Sequence, residues 1–123
     1  MPNANERRKS PRAPAELDLK FDVAGQAGVA RLRDISASGV RCTTDRSIPL
    51  MTQVGLVIVL PTPSRRREIV CRGAVVRSGP LGASGPGGRI SAYETAIFFT
   101  DIRDEDRIEV GEFVSAANRS TEL

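Results

Sequence analysis

The sequence predicts an all-β domain, a six-stranded antiparallel barrel or closed roll carrying a C-terminal α-helix, and three observations lead there. Apolar residues recur at every second position in short runs separated by Gly/Pro turn signals, the pattern of half-buried strands. No helical pattern intervenes between those runs, so βαβ units and a parallel sheet are excluded. Only near the C-terminus does the apolar spacing change to that of a helix.

Residues 1–14 are polar, basic and proline-containing. Pro11 and Pro14 push the residues before them away from helix. This segment is therefore expected to be a flexible basic arm, ahead of a domain spanning 15–118 and a disordered tail at 119–123. In 16–23, Leu17, Leu19, Phe21 and Val23 face one side, and Glu16, Asp18, Lys20 and Asp22 the other. The run 24–28 (Ala-Gly-Gln-Ala-Gly) signals a turn, and 29–35 is the return strand of a hairpin. After a turn at 34–39, residues 40–44 form a short third strand with Val40 and Cys42 inward. Residues 54–60 are apolar on both faces, which predicts a strand covered on each side, by the barrel interior and by a helix. Residues 69–77 return as a fifth strand. The Gly/Pro-rich stretch 78–89 reads as a long mobile loop, and 90–100 as the sixth strand. Val110, Phe113, Val114 and Ala117 then follow helical spacing, with Asp101 or Asp104 as the cap and Asp104, Glu105 and Asp106 suited to the positive end of the helix dipole.

The chain has 123 residues, enough for one domain, and a formal net charge of +3. Basic side chains gather at Arg7, Arg8, Lys9 and Arg12 and again at Arg65, Arg66 and Arg67. An anionic partner fits that distribution, as does a merely solvated basic tail. Histidine is absent, which removes the commonest general base and metal ligand. Without paired carboxylates or a clustered cysteine in strand context, no catalytic constellation can be assembled, and the protein is not expected to be an enzyme. Cys42 and Cys71 lie in apolar runs and read as buried, reduced thiols, with a disulfide the alternative only for an exported chain. No apolar run reaches the roughly 18–20 residues of a membrane span, and the N-terminus lacks the apolar core of a signal peptide. A cytosolic protein with no membrane partner, metal or cofactor is expected.

Two motifs hold the chemistry. Arg8 and Arg12 are four apart, on one side of an extended chain and about 13 Å from each other, where they can grip two parts of one anionic ligand. Asp34, Ser36 and Gly39 form Asp-x-Ser-x-x-Gly at a strand break. Each has an ordinary structural reading when taken singly: arginine-rich tails produce the first spacing by chance, and Asp, Ser and Gly are common turn formers.

Together, in this order and ahead of an all-β run with a terminal helix, the two motifs resemble those of the PilZ domain family, whose members bind the bacterial second messenger cyclic di-GMP. The resemblance covers the chain from Arg8 to about Val114. It implies that Arg8 and Arg12 form an arm that folds over a ligand lying on the outside of the barrel, and that Asp34, Ser36 and Gly39 supply the opposing surface. Arginine forks onto guanine O6 and N7, stacks on the ring or pairs with phosphate, while a carboxylate accepts from the guanine N1–H and amino group. An additional arginine at Arg7 implies, by the same resemblance, two ligands bound as a stacked, intercalated dimer. Two positions depart from the family's pattern. The fifth strand, where an aromatic often stands beside the ligand, reads Ala74-Val75-Val76-Arg77, so an aliphatic wall is expected, and Ala96 replaces a common glycine on the last strand.

The resulting expectation is a cyclic di-GMP receptor that rearranges on binding and signals to a protein effector. Two other readings compete with it. One is an adaptor of the same fold without ligand binding. The other is a basic barrel for single-stranded nucleic acid, which the 4% aromatic content disfavours because such modules rely on stacking platforms.

Overall fold

A computed structural model of the chain describes residues 12–61, 66–82 and 92–121. Six strands, β1 (Arg12–Val23), β2 (Gln26–Ser36), β3 (Gly39–Thr44), β4 (Gln53–Pro61), β5 (Arg66–Pro80) and β6 (Tyr93–Asp101), precede one helix, α1 (Asp104–Thr121). The strands close into an antiparallel barrel in the order β1-β2-β3-β6-β5-β4, with β4 returning to β1. Closure pairs the edges that an open sheet would leave free. Alternation decides what lies inside. Val40, Cys42 and Thr44 from β3, Val54, Leu56, Ile58 and Leu60 from β4, and Thr95, Ile97 and Phe99 from β6 are all buried.

The strands depart from their predicted limits for local reasons. β1 begins at Arg12, inside the expected arm, and Arg12 pairs with Ser36. A bulge between Pro14 and Leu17 lets Pro14 sit in the strand although it has no N–H to donate. The β1–β2 turn is only Ala24-Gly25, both at positive φ (52° and 85°), a two-residue hairpin of type I′ geometry closed by the Gly25 N–H to Asp22 Oδ1 at 2.8 Å. Gln26 to Gly28 therefore belong to β2. β5 runs to Pro80, with Ser78, Gly79 and Pro80 paired to Thr95, Glu94 and Tyr93, so the first part of the expected loop is strand. Residues 83–91, which take in the rest of that stretch after Gly82 and the first two residues of the expected sixth strand, lie outside the described residues.

β4 is not covered on both faces. Its even-numbered residues are buried, whereas Gly55, Val57 and Val59 are only half-buried and Gln53 and Pro61 exposed, because α1 packs mainly against β1 and β2 instead. Val110 and Val114 of α1 are buried in the core, with Ile102, Phe113 and Ala117 against it. The Arg103 carbonyl accepts from the Asp106 and Arg107 N–H groups at 3.0 and 2.9 Å, which puts Arg103, rather than Asp101 or Asp104, at the cap position. The acidic residues Asp104, Glu105 and Asp106 occupy the first turn as expected. The helix ends at Thr121, beyond the boundary expected at 118.

Cys42 and Cys71 are free, buried thiols. Burial pushes each up to about 12 from an ordinary value of 9.0, and the negative charges of Asp106 and Asp101 add to the effect at Cys71. A raised thiol pKa favours the folded state fully while the unfolded thiols stay protonated. That contribution is lost as pH rises from about 9 toward 12. Both thiols are expected to resist alkylation near pH 9 in the native protein and to react in denaturant. In urea unfolding across this alkaline range, a Cys42→Ala/Cys71→Ala variant should lose stability less steeply than the parent.

Candidate functional site

The turn between β2 and β3 is tied down from within and from two other elements. Ser36 is buried, and its hydroxyl lies 3.0 Å from Ser38 Oγ, accepts the Ser38 N–H at 3.2 Å and donates to the Gly39 carbonyl at 3.4 Å. A serine bonding its own backbone two residues on is a turn-forming device. The Ser38 carbonyl accepts the Phe99 N–H of β6 at 2.9 Å, and the Ala37 carbonyl accepts from Arg107 Nη1 of α1 at 2.8 Å. Gly39 is not in the left-handed region. It is glycine because a Cβ there would overlap the Ile97 carbonyl oxygen where β3 and β6 come together.

Beside this turn lies a groove of about 370 Å³, lined by Arg12, Asp34, Ser36, Ser38, Gly39, Val40, Arg41, Val76, Arg77, Ala96, Ile97 and Phe98. The strand register makes its floor two parallel rows. Asp34, Arg41, Ala96 and Arg77 stand side by side on β2, β3, β6 and β5, and Gly39 and Phe98 form the neighbouring row. Arg41 Nη2 pairs with Asp34 Oδ2 at 2.6 Å, and its Nη1 lies 3.6 Å from Glu94 Oε2. Arg77 Nη1 approaches the other Glu94 oxygen at 3.9 Å. Two carboxylates thus hold two guanidinium groups on either side of the small Ala96. Arg41 Nε is buried without a partner.

Of the sequence-predicted residues, Arg12, Asp34, Ser36 and Gly39 come together on this groove. Arg7 and Arg8 lie outside the described residues. Arg12 is held by β1–β2 pairing and by its carbonyl, which accepts from Asn118 Nδ2 at 3.2 Å. Arg41 and Phe98 are among the lining residues that the sequence reading did not assign to the site. Arg41 was legible in principle, since Val40 and Cys42 inward leave Arg41 outward on the strand after the motif. Phe98 corrects the expectation of an aliphatic wall. With Ile97 and Phe99 buried, the alternation turns Phe98 out into the groove, 51% exposed, while Ala74 and Val75 of the expected wall are themselves buried. Val76 reaches the groove because it occupies a bulge between Val75 and Arg77.

A larger groove of about 560 Å³ crosses the outside of β1, β4 and β5 and shares no residue with the first. Its charges nearly balance, with Lys20, Arg72 and Arg103 against Asp22 and Asp101. Among the described residues, no group of three His, Cys, Asp or Glu side chains is placed to hold a metal ion, and no helix is long and apolar enough to cross a membrane.

The described residues form a closed six-stranded antiparallel barrel with a C-terminal helix, and an Asp-x-Ser-x-x-Gly turn lies next to an arginine on the first strand. The PilZ domain model matches residues 6–116, and the chain belongs to that family. Three solved structures share the fold. The Bacillus subtilis inhibitor of motility, MotI/DgrA, superimposes with a TM-score of 0.83 at 18% identity, over 100% of this chain and 59% of that one. A structure described as the PilZ domain with c-di-GMP of YcgR from Escherichia coli gives a TM-score of 0.71 at 12% identity, covering 94% of each chain. MrkH, described as a c-di-GMP-dependent transcription regulatory factor, gives 0.63 at 16% identity over 90% of this chain and 51% of that one. The chain thus spans little more than half of MotI and of MrkH. By sequence, no curated protein matches it.

The contact at Gly39 predicts that Gly39→Ala forces β3 and β6 apart, at a cost of roughly 1–3 kcal/mol. A lowered urea midpoint should report it, whereas an unchanged midpoint would show that the strands part freely.

Proposed function

We propose that this protein is a non-enzymatic receptor for cyclic di-GMP, whose occupied surface is read by a protein effector. The observation that carries the proposal is the meeting of Arg12 with Asp34, Ser36 and Gly39 on one groove, in a chain of the PilZ family. The charges suit the ligand. Arg12, Arg41 and Arg77 bring three cations to the groove, against Asp34 in its lining and Glu94 holding Arg41 and Arg77 from beside it, so the balance stays positive toward a ligand with two phosphodiester charges. Asp34 keeps Oδ1 for a second donor while Oδ2 holds Arg41, so a guanine N1–H or amino group has an acceptor aimed from a fixed position. Ser36 acts at one remove by shaping the turn, because its hydroxyl is already engaged there. The backbone of Gly39 forms part of the groove wall.

Arg7 and Arg8 complete the proposed site from the N-terminal side, closing over the nucleotide once it is bound. An intercalated ligand dimer is the stoichiometry that Arg7 favours. Closure of a basic segment over a bound dianion changes both the shape and the charge of this face, which is what an effector would sense. A cytosolic location follows, since that is where the messenger would be met.

Calorimetric titration with cyclic di-GMP tests the proposal. Binding in the micromolar range or tighter is expected. Asp34→Asn and Arg12→Ala should each weaken it roughly 10- to 100-fold, the scale of one charge-assisted hydrogen bond. Asp34→Ala should also lower stability by about 1 kcal/mol, because it removes the partner of Arg41, an effect the motif alone does not foretell. No heat at high micromolar nucleotide would overturn the receptor reading and leave the ligand-free adaptor.

A further inference from the structure

A single exposed apolar side chain on a soluble protein requires no explanation. Phe98 differs in its surroundings. Its neighbour across β3 is Gly39, which has no side chain, and its neighbour across β5 is Ala74, which is small and buried. Two residues back on its own strand, about 7 Å along, stands Ala96. The ring is thus flanked by small residues on three sides, with half of its surface open to the groove. Beyond Ala96, on either side, are Arg41 and Arg77, both drawn toward Glu94. A half-open aromatic ring among small residues, in a groove that also carries guanidinium groups, suits a flat ring whose attached groups are anionic.

We propose that Phe98 is a stacking platform for one base of the bound cyclic dinucleotide, an inference that rests on the receptor reading above. The division of labour is specific to this chain. Asp34 discriminates guanine by hydrogen bonding, whereas Phe98 adds affinity through its π-face without choosing between purines. The absence of an aromatic from 74–77 of β5 is then made good from the neighbouring strand β6, on the same floor. Gly39 acquires a second consequence as well. The small residue that lets β3 approach β6 also leaves the space beside the ring open.

The experiment is a titration of the intact protein with cyclic di-GMP, comparing wild type with Phe98→Ala, Phe98→Leu, Phe98→Trp and Asp34→Asn, each checked for an unaltered thermal transition. Phe98→Ala should weaken binding roughly 5- to 150-fold, the range for removing one base-stacking aromatic. Phe98→Leu, apolar but without a π-face, should fall with it, and Phe98→Trp should rescue the affinity. In NMR spectra of the complex, one set of guanine H8 and ribose H1′ resonances should move upfield under the ring current of Phe98 and lose that shift in Phe98→Leu. Wild-type binding that Asp34→Asn impairs but Phe98→Ala and Phe98→Leu leave within twofold would overturn the platform while the receptor reading stands. Absence of wild-type binding would overturn both.

Discussion

The approach of β3 to β6 at Gly39 is the contact on which the rest of the site depends. It brings the turn after β2 against a strand far away in sequence, so that the Phe99 N–H reaches the Ser38 carbonyl. The same closeness lets α1, which follows β6 directly, return one of its first residues, Arg107, to the Ala37 carbonyl. A four-residue turn with one hydroxyl folded into it and two carbonyls anchored elsewhere has few conformations left to lose when a ligand arrives. The other end of the helix reaches the Arg12 carbonyl through Asn118, so α1 touches both borders of the groove.

Charge in the groove is organised rather than merely abundant. Three guanidinium groups on one small surface repel one another, and exposed charges of that kind are screened but not silenced by solvent. Asp34 and Glu94 hold two of them in place from across the strands. Such pairs contribute little to stability, about 0–1 kcal/mol when exposed, so their main effect is positional. The Asp34 carboxylate is oriented by Arg41, which itself lines the groove. Loss of either partner disturbs both the carboxylate and the cation beside it.

Much of this arrangement was legible in the residues. The clean alternation from Leu17 to Val23 and the inward pair Val40 and Cys42 gave β1 and β3, and the spacing of Val110, Phe113, Val114 and Ala117 gave the buried face of the helix. Composition misled where backbone pairing overrode it. Ser78, Gly79 and Pro80 look like loop residues but complete β5, because Thr95, Glu94 and Tyr93 offer them a partner strand. The apolar run at 54–60 suggested two-sided cover, yet in a closed barrel its outer valines need only be half-buried. For the site, motif spacing located Asp34, Ser36 and Gly39, but the work of each depended on neighbours that are distant in sequence. Nothing local announces that Gly39 must avoid the Ile97 carbonyl, that the Ser36 hydroxyl is consumed by its own turn, or that Phe98 rather than residues 74–76 provides the aromatic surface.

A turn held by contacts within the barrel makes a clear demand on the free protein. Amide hydrogen exchange at Phe99 and Ser38, followed before and after addition of cyclic di-GMP, would examine it. Both amides should already be protected in the free protein to the level of barrel-core amides such as Ile97, with little gain on adding the nucleotide. Exchange at the rate of an open loop, with protection appearing only once nucleotide is present, would contradict the account, because the turn would then be built by the ligand rather than by the contact between β3 and β6.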